Sequence, residues 1–255
     1  MAEVAVLAAH GERLYVVIPV YNEQASVGHV IRDWVSTLDA LAIDFRLLAL
    51  DDGSHDDSAS VLAALARAEP RLELICKPNS GHGKTCIFGY REAISRGATW
   101  VLQIDSDGQC DPQYFAAVWR RRTRAPAVFG VRLSRDDGFG RSVVSWLCER
   151  VTRALSGASV RDPNVPYRLL RSDLLAAAIE DFPSDFKLAN ILLSVIVQRA
   201  LEGRVEFVEI GFRRRAGGEP SVKWAKFAME GLSLSRSLWR SKEHAAARAR
   251  AVAQL

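Results

Sequence analysis

Short apolar runs recur along the first 110 residues, and each ends in a polar or glycine-containing loop that leads into a helical pattern. Leu14 to Val20 reads as a buried strand closed by Pro19, followed by Tyr21-Asn22-Glu23 and a helical pattern from about Ser26. Phe45 to Leu50 is a second strand ending in Asp51-Asp52-Gly53-Ser54. Asp56, Asp57 and Ser58 then have the character of N-capping residues for a helix through Ala68. A third strand, Leu72 to Cys76, ends in the loop Asn79 to Lys84, and the pattern predicts a helix from about Thr85 to Arg96. A fourth apolar run spans Trp100 to Ile104. This succession is the grammar of an open parallel sheet flanked by helices, with its ligand at the carboxyl ends of the strands.

The fourth run opens into Asp105-Ser106-Asp107-Gly108-Gln109, which sets two carboxylates on alternate residues. At a strand end such a pair can face one crevice if the chain turns, and Gly108 permits the turn. Hard oxygens of this kind suit Mg²⁺ or Mn²⁺, which keep positions open for substrate phosphates. Taken alone, the same residues also suit a solvated acidic turn.

Four motifs in order, VVIPVYNE (Val16 to Glu23), DDGSHDDS (Asp51 to Ser58), GHGK (Gly81 to Lys84) and DSDGQ, resemble those of a family 2 inverting glycosyltransferase. More specifically, the chain resembles the dolichol-phosphate mannosyltransferase group, whose donor is a nucleotide sugar and whose acceptor is a polyprenyl phosphate. The fold implied is of GT-A type, a Rossmann-like, open, mostly parallel sheet flanked by helices, with a C-terminal helical extension. The resemblance implies that Pro19, Tyr21 and Glu23 line the nucleotide and that Asp52 accepts a hydrogen bond from its base. It places Lys84 near a donor phosphate and Ser106 beside the donor. Asp105 and Asp107 would organise the cation and diphosphate, with Gln109 adding an oxygen. The cation's task is to neutralise charge on the departing nucleotide diphosphate. Glu23 also suits a helix N-terminus on dipole grounds, and Gly53 serves the turn. His82 has no catalytic assignment, and the glycine spacing before Lys84 is wrong for a P-loop.

The second half bears on the acceptor. Phe129 to Arg132 reads as a strand exit, and Arg141 to Ser145 opens a helix on which those two residues share a face. The resemblance puts Arg132, Arg141 and Ser145 on the acceptor phosphate, a task suited to the planar guanidinium fork. Asp162 to Arg168 stands where the family has an aspartate followed by Ser-Gly-Phe-Arg, but Val165 and Pro166 replace the small pair. Asp162 can orient an arginine, or act as a base if the acceptor is a saccharide or small-molecule hydroxyl, a role for which Asp185 is the other candidate. Late in the chain, Phe212 to Ser221 resembles the family segment whose arginine closes over the donor diphosphate; Arg215 is the first choice and Arg213 the second.

The chain has 255 residues, 49% of them hydrophobic, which is ample for one catalytic domain over residues 1–221 and a basic aromatic helical extension over 222–255. A net charge of +4 suits an anionic donor or a membrane surface; a membrane-protein partner is the alternative to the membrane surface. The expected location is the cytosol, peripheral on the cytosolic membrane face, with no signal peptide and no spanning segment. Cys76, Cys86, Cys110 and Cys148 lack zinc or CxxC spacing and are expected to be reduced thiols. Arg120 to Arg122 and Arg124 read as a solvated or lipid-facing stretch of helix. Trp224, Phe227 and Trp239 interleave with Lys223, Lys226 and Arg240 as in an interfacial helix, and the alanine-rich end, Glu243 to Leu255, is expected to fray. Nucleic acid is not expected as a partner, because the basic residues form no recognised module and the acidic motifs would repel a phosphate backbone. An intact DSDGQ also argues against a binding protein without catalysis.

Overall fold

The computed structural model describes residues 11–132, 161–180, 182, 189–213 and 245–254. Seven strands among them are β1 (Leu14–Val20), β2 (Phe45–Asp51), β3 (Leu72–Cys76), β4 (Trp100–Gln103), β5 (Ala127–Arg132), β6 (Arg168–Arg171) and β7 (Glu206–Ile210). They form one sheet in the order β3-β2-β1-β4-β6-β5-β7. The helices are α1 (Val27–Ala40), α2 (Ser58–Ala68), α3 (His82–Ser95), α4 (Phe115–Arg121), α5 (Ser172–Ile179) and α6 (Ala189–Leu201), with a further helical segment over residues 245–253.

The strands β3, β2, β1 and β4 run parallel, as do β5 and β7, whereas β6 is antiparallel to both of its neighbours, β4 and β5. β1 is buried on both faces. Leu14, Val16, Ile18 and Val20 pack into a core shared with α1, where Trp34 meets Phe115 and Tyr167, while Tyr15 and Val17 pack into a second core with α3, α5 and α6. This two-sided packing is why β1 reads as a continuous apolar run, as parallel strands do.

Several local expectations are corrected by the contacts the structure makes. α3 begins at His82 and not near Thr85, because the Asp52 carboxylate accepts from Ser80 N (2.9 Å) and Gly81 N (2.8 Å) and fixes the chain as it enters the helix. Gly81 precedes it at φ +91°, so Gly83 and Lys84 lie on the first helical turn. At α2 the capping carboxylate is that of Asp56, which takes Ser58 N (3.0 Å) and Ser58 Oγ (2.5 Å); Asp57 makes no side-chain cap. Arg122 is not solvated. Its side chain is 2% exposed, lies over Trp119 at 4.1 Å from the ring centroid and binds Glu12 at 2.7 Å. The residues 245–253 do not fray, since Ala245, Ala246 and Ala249 are buried against the second core and Arg248 pairs with Glu180 at 3.0 Å. Among the described residues no helix is long and apolar enough to cross a membrane, and Cys76, Cys86 and Cys110 are free thiols.

Candidate active site

The loops after β1 and β2 are joined by reciprocal hydrogen bonds between side chains and backbone. Asn22 N donates to Ser54 Oγ (3.0 Å) and His55 N to Asn22 Oδ1 (2.8 Å); Glu23 N donates to Ser58 Oγ (2.8 Å) and Asp57 N to Gln24 Oε1 (2.8 Å). Asn22 at φ +54° and Gly53 at φ +71° supply the left-handed turns this joint needs, a conformation Asn and Gly adopt at lowest cost. Tyr21 is left exposed at the lip, edge-on to His55 with ring centroids 6.2 Å apart. Glu23 is buried, and Ser26 Oγ sits 2.8 Å from its Oε2 and 2.9 Å from the Ser106 carbonyl, which ties the β1 loop to the DSDGQ turn.

Asp52 is buried and saturated with donors. Lys77 Nζ, Ser80 N, Ser80 Oγ and Gly81 N all point at its carboxylate. Burial pushes the Asp52 carboxyl up, but the bonds from Lys77 and the backbone N–H groups outweigh it and hold the group below the ordinary carboxylate range. Lys77, which the sequence pattern did not single out, is thus the counterion of Asp52, while Lys84 lies half-buried on the first turn of α3.

The turn after β4 carries both acidic residues at the carboxyl end of the sheet, with Gly108 at φ +81°. Asp107 Oδ1 accepts from Gln109 N (3.0 Å), and Asp105 Oδ1 accepts from Gln103 Nε2 (3.1 Å). Gln109 is half-buried and reaches Arg213: its Nε2 is 3.5 Å from the Arg213 carbonyl, and its own carbonyl accepts from Arg213 N (3.1 Å). Among the described residues no three His, Cys, Asp or Glu side chains gather closely enough to hold a metal ion. Two carboxylates without a third fit Mg²⁺ or Mn²⁺ in the manner of nucleotide enzymes, in which the other positions go to phosphate oxygens and water.

On the other side of the turn, Arg132 at the end of β5 grips Asp162 with two parallel bonds, Nε to Oδ2 at 2.8 Å and Nη2 to Oδ1 at 2.5 Å. Phe212 stacks on the guanidinium at 5.5 Å. Asp162 is buried at φ +36°, and both of its oxygens are engaged. Arg213 is held by Asp111 (2.7 Å) and Asp33 (2.7 Å), which raise its affinity for its proton further. Arg168 is fully buried in β6 and donates to the carbonyls of Asn190 (2.8 Å) and Pro163 (2.9 Å). Arg141, Ser145, Asp185 and Arg215 lie outside the described residues.

The structure therefore brings Pro19, Tyr21, Glu23, Asp52, Lys84, Asp105, Ser106, Asp107, Gln109 and Arg132 to the carboxyl end of the sheet or the loops that follow it. Sequence reasoning gave Ser26 only the start of a helix and Arg168 only a place in the Asp162 to Arg168 segment, and it missed Lys77 and Gln103. A usable signal existed for Gln103, an amide inside the apolar run Trp100 to Ile104.

The family model described as Glycosyl transferase family 2 matches residues 15–174, well over half of the chain. Among solved structures, the chain is similar to glucosyl-3-phosphoglycerate synthase from Mycobacterium tuberculosis in complex with Mn²⁺ and UDP-glucose, at TM-score 0.68 and 20% identity, covering 94% of this chain and 82% of that one. The complex of the same enzyme with Mn²⁺, UDP-glucose and phosphoglyceric acid aligns at TM-score 0.66 and 21% identity over 94% and 82% of the two chains. Mannosyl-3-phosphoglycerate synthase from Rubrobacter xylanophilus aligns at TM-score 0.63 and 16% identity, over 93% and 76%. At these identities the likeness is one of fold.

Proposed function

The chain belongs to glycosyl transferase family 2, and on that premise we propose that it moves a sugar from a nucleotide-diphosphate sugar to the hydroxyl of a small anionic acceptor, with Mg²⁺ or Mn²⁺ held by Asp105 and Asp107. The joined loops after β1 and β2 receive the nucleotide, with Tyr21 against the base and Asp52 within the loop that meets it. The bound cation supplies Lewis-acid assistance to the leaving diphosphate. Arg213 is held by Asp33 and Asp111, so the sequence's first choice, Arg215, remains the candidate for the same anion.

The observation that carries the acceptor reading is Arg132. Its guanidinium is oriented by a two-bond clamp from Asp162 at the sheet end that bears the acidic turn, and oriented arginine suits a phosphate or carboxylate. Fold neighbours that act on phosphoglycerate support a small acceptor of this charge. With both oxygens accepting from Arg132, Asp162 serves as a positioning residue and not as the base, which leaves Asp185 as the remaining sequence candidate for that role. The second reading is transfer to a polyprenyl phosphate at a membrane surface, favoured by the order of the four motifs and by the Arg141, Ser145 pair.

The two readings separate in one experiment. Purified protein is incubated with Mn²⁺, a panel of nucleotide sugars and either 3-phosphoglycerate or a polyprenyl phosphate in detergent, and products are read by mass spectrometry. Transfer to the small acceptor, with Arg132→Ala raising its KM by about 10-fold or more for the loss of a charge-assisted bond while donor KM stays constant, is the expected result. Transfer confined to the polyprenyl phosphate would replace the first reading with the second.

A further inference from the structure

Gln103 is the last residue of β4 and is 0% exposed, in register with Val17 of β1 and Arg168 of β6. A primary amide at the centre of a sheet is costly unless both of its ends are bonded. Here both are. Its Nε2 lies 3.1 Å from Asp105 Oδ1, and its Oε1 lies 3.3 Å from the hydroxyl of Tyr90 on α3, which is itself buried. The orientation of the amide follows from chemistry. An ionised carboxylate only accepts, so the NH₂ group must face Asp105, and the carbonyl is left for Tyr90, whose phenol burial keeps protonated and therefore able to donate.

We propose that Gln103 is a positioning residue for the cation-binding carboxylate of Asp105, and that Tyr90 acts through it. The inference rests on the reading that Asp105 and Asp107 hold a divalent cation. The inner contacts of Asp105 fall on one oxygen: Gln103 Nε2 bonds Oδ1, and His82 Nε2 stands 3.7 Å from the same atom. Among the described residues no donor meets Oδ2, so anchoring Oδ1 from below sets the direction in which Oδ2 is offered to a cation. Ligating carboxylates are commonly held in this way by a hydrogen bond to the other oxygen, and loss of such an outer partner weakens metal binding about 10- to 100-fold. Arg168, opposite Gln103 in the sheet, donates from Nη1 and Nη2 to the carbonyls of Asn190 and Pro163 and not to Asp105.

The test is Mn²⁺ binding by electron paramagnetic resonance in the presence of uridine diphosphate, on the wild-type protein, Gln103→Met, Tyr90→Phe and the double variant, with nucleotide binding in EDTA and thermal melting alongside. Methionine keeps the length and packing but removes both polar ends. The expected result is Mn²⁺ affinity lower by about 10- to 100-fold in Gln103→Met, a smaller loss in Tyr90→Phe, and a double variant no worse than Gln103→Met, because the Tyr90 hydroxyl donates to Gln103. Nucleotide binding in EDTA stays unchanged. Wild-type Mn²⁺ affinity in Gln103→Met, with only the melting temperature lowered, overturns the inference; if that variant does not fold, wild-type Mn²⁺ affinity in Tyr90→Phe overturns it instead. A wild-type protein that binds no Mn²⁺ with the nucleotide removes the cation reading itself and this inference with it.

Discussion

Replacing Lys77 with methionine tests how the donor side of the site is held together. Lys77 is one of four donors on the buried Asp52 carboxylate, and the others, Ser80 N, Ser80 Oγ and Gly81 N, survive the substitution. Removing one partner of a buried ion pair costs about 3 to 5 kcal/mol when the remaining charge is stranded. Here it is not stranded, so the cost falls towards that of one charge-assisted hydrogen bond, about 1.5 to 3 kcal/mol. At roughly 2 to 4 °C per kcal/mol for a domain of this size, a loss near 2 kcal/mol lowers Tm by about 4 to 8 °C at neutral pH. The pH dependence has a defined sign. The folded Asp52 carboxyl is held below its unfolded value, so its stabilisation is in place above about pH 4 and disappears as pH falls through the folded value. Without Lys77 the folded value rises, and the acid limb of the stability profile moves to higher pH. Thermal melts between pH 3 and 7 follow both effects, and a variant with unchanged Tm and an unchanged acid limb would refute the ion pair as the organiser of the loop before α3.

Asp107→Ala should abolish transfer, as should EDTA, while Tm stays within about 2 °C of wild type, since a half-buried residue on a turn is replaced and no core contact is lost. Product formation and melting curves check this together, and full turnover in either condition would remove the cation from the mechanism. Arg122→Met should lower Tm by roughly 5 to 10 °C, because the charge-assisted bonds of a buried guanidinium to Glu12 Oε2 and the Trp119 carbonyl are lost, while kcat at 20 °C is unchanged. A Tm equal to that of wild type would mean that Arg122 is solvated after all.

The strands β1, β2 and β3, the helices after β1 and β2, and the positions of the four motifs were legible in the sequence because they depend on contacts within a few residues: apolar runs, turn residues and caps. The acidic turn was legible for the same reason, since Asp105, Asp107 and Gly108 carry their spacing and their turn within one pentapeptide. What tertiary structure alone decided are pairings between residues far apart in the chain. β6 enters between β4 and β5 in the antiparallel sense; Lys77 neutralises Asp52 across 25 residues, Asp162 clamps Arg132 across 30, and Glu12 buries Arg122 across 110. An arginine that is exposed, clamped or buried has the same local sequence signature in each case. Its state is set by which carboxylate or carbonyl the fold carries to it, and by whether the low-dielectric interior around it makes an unpaired charge too costly to leave alone.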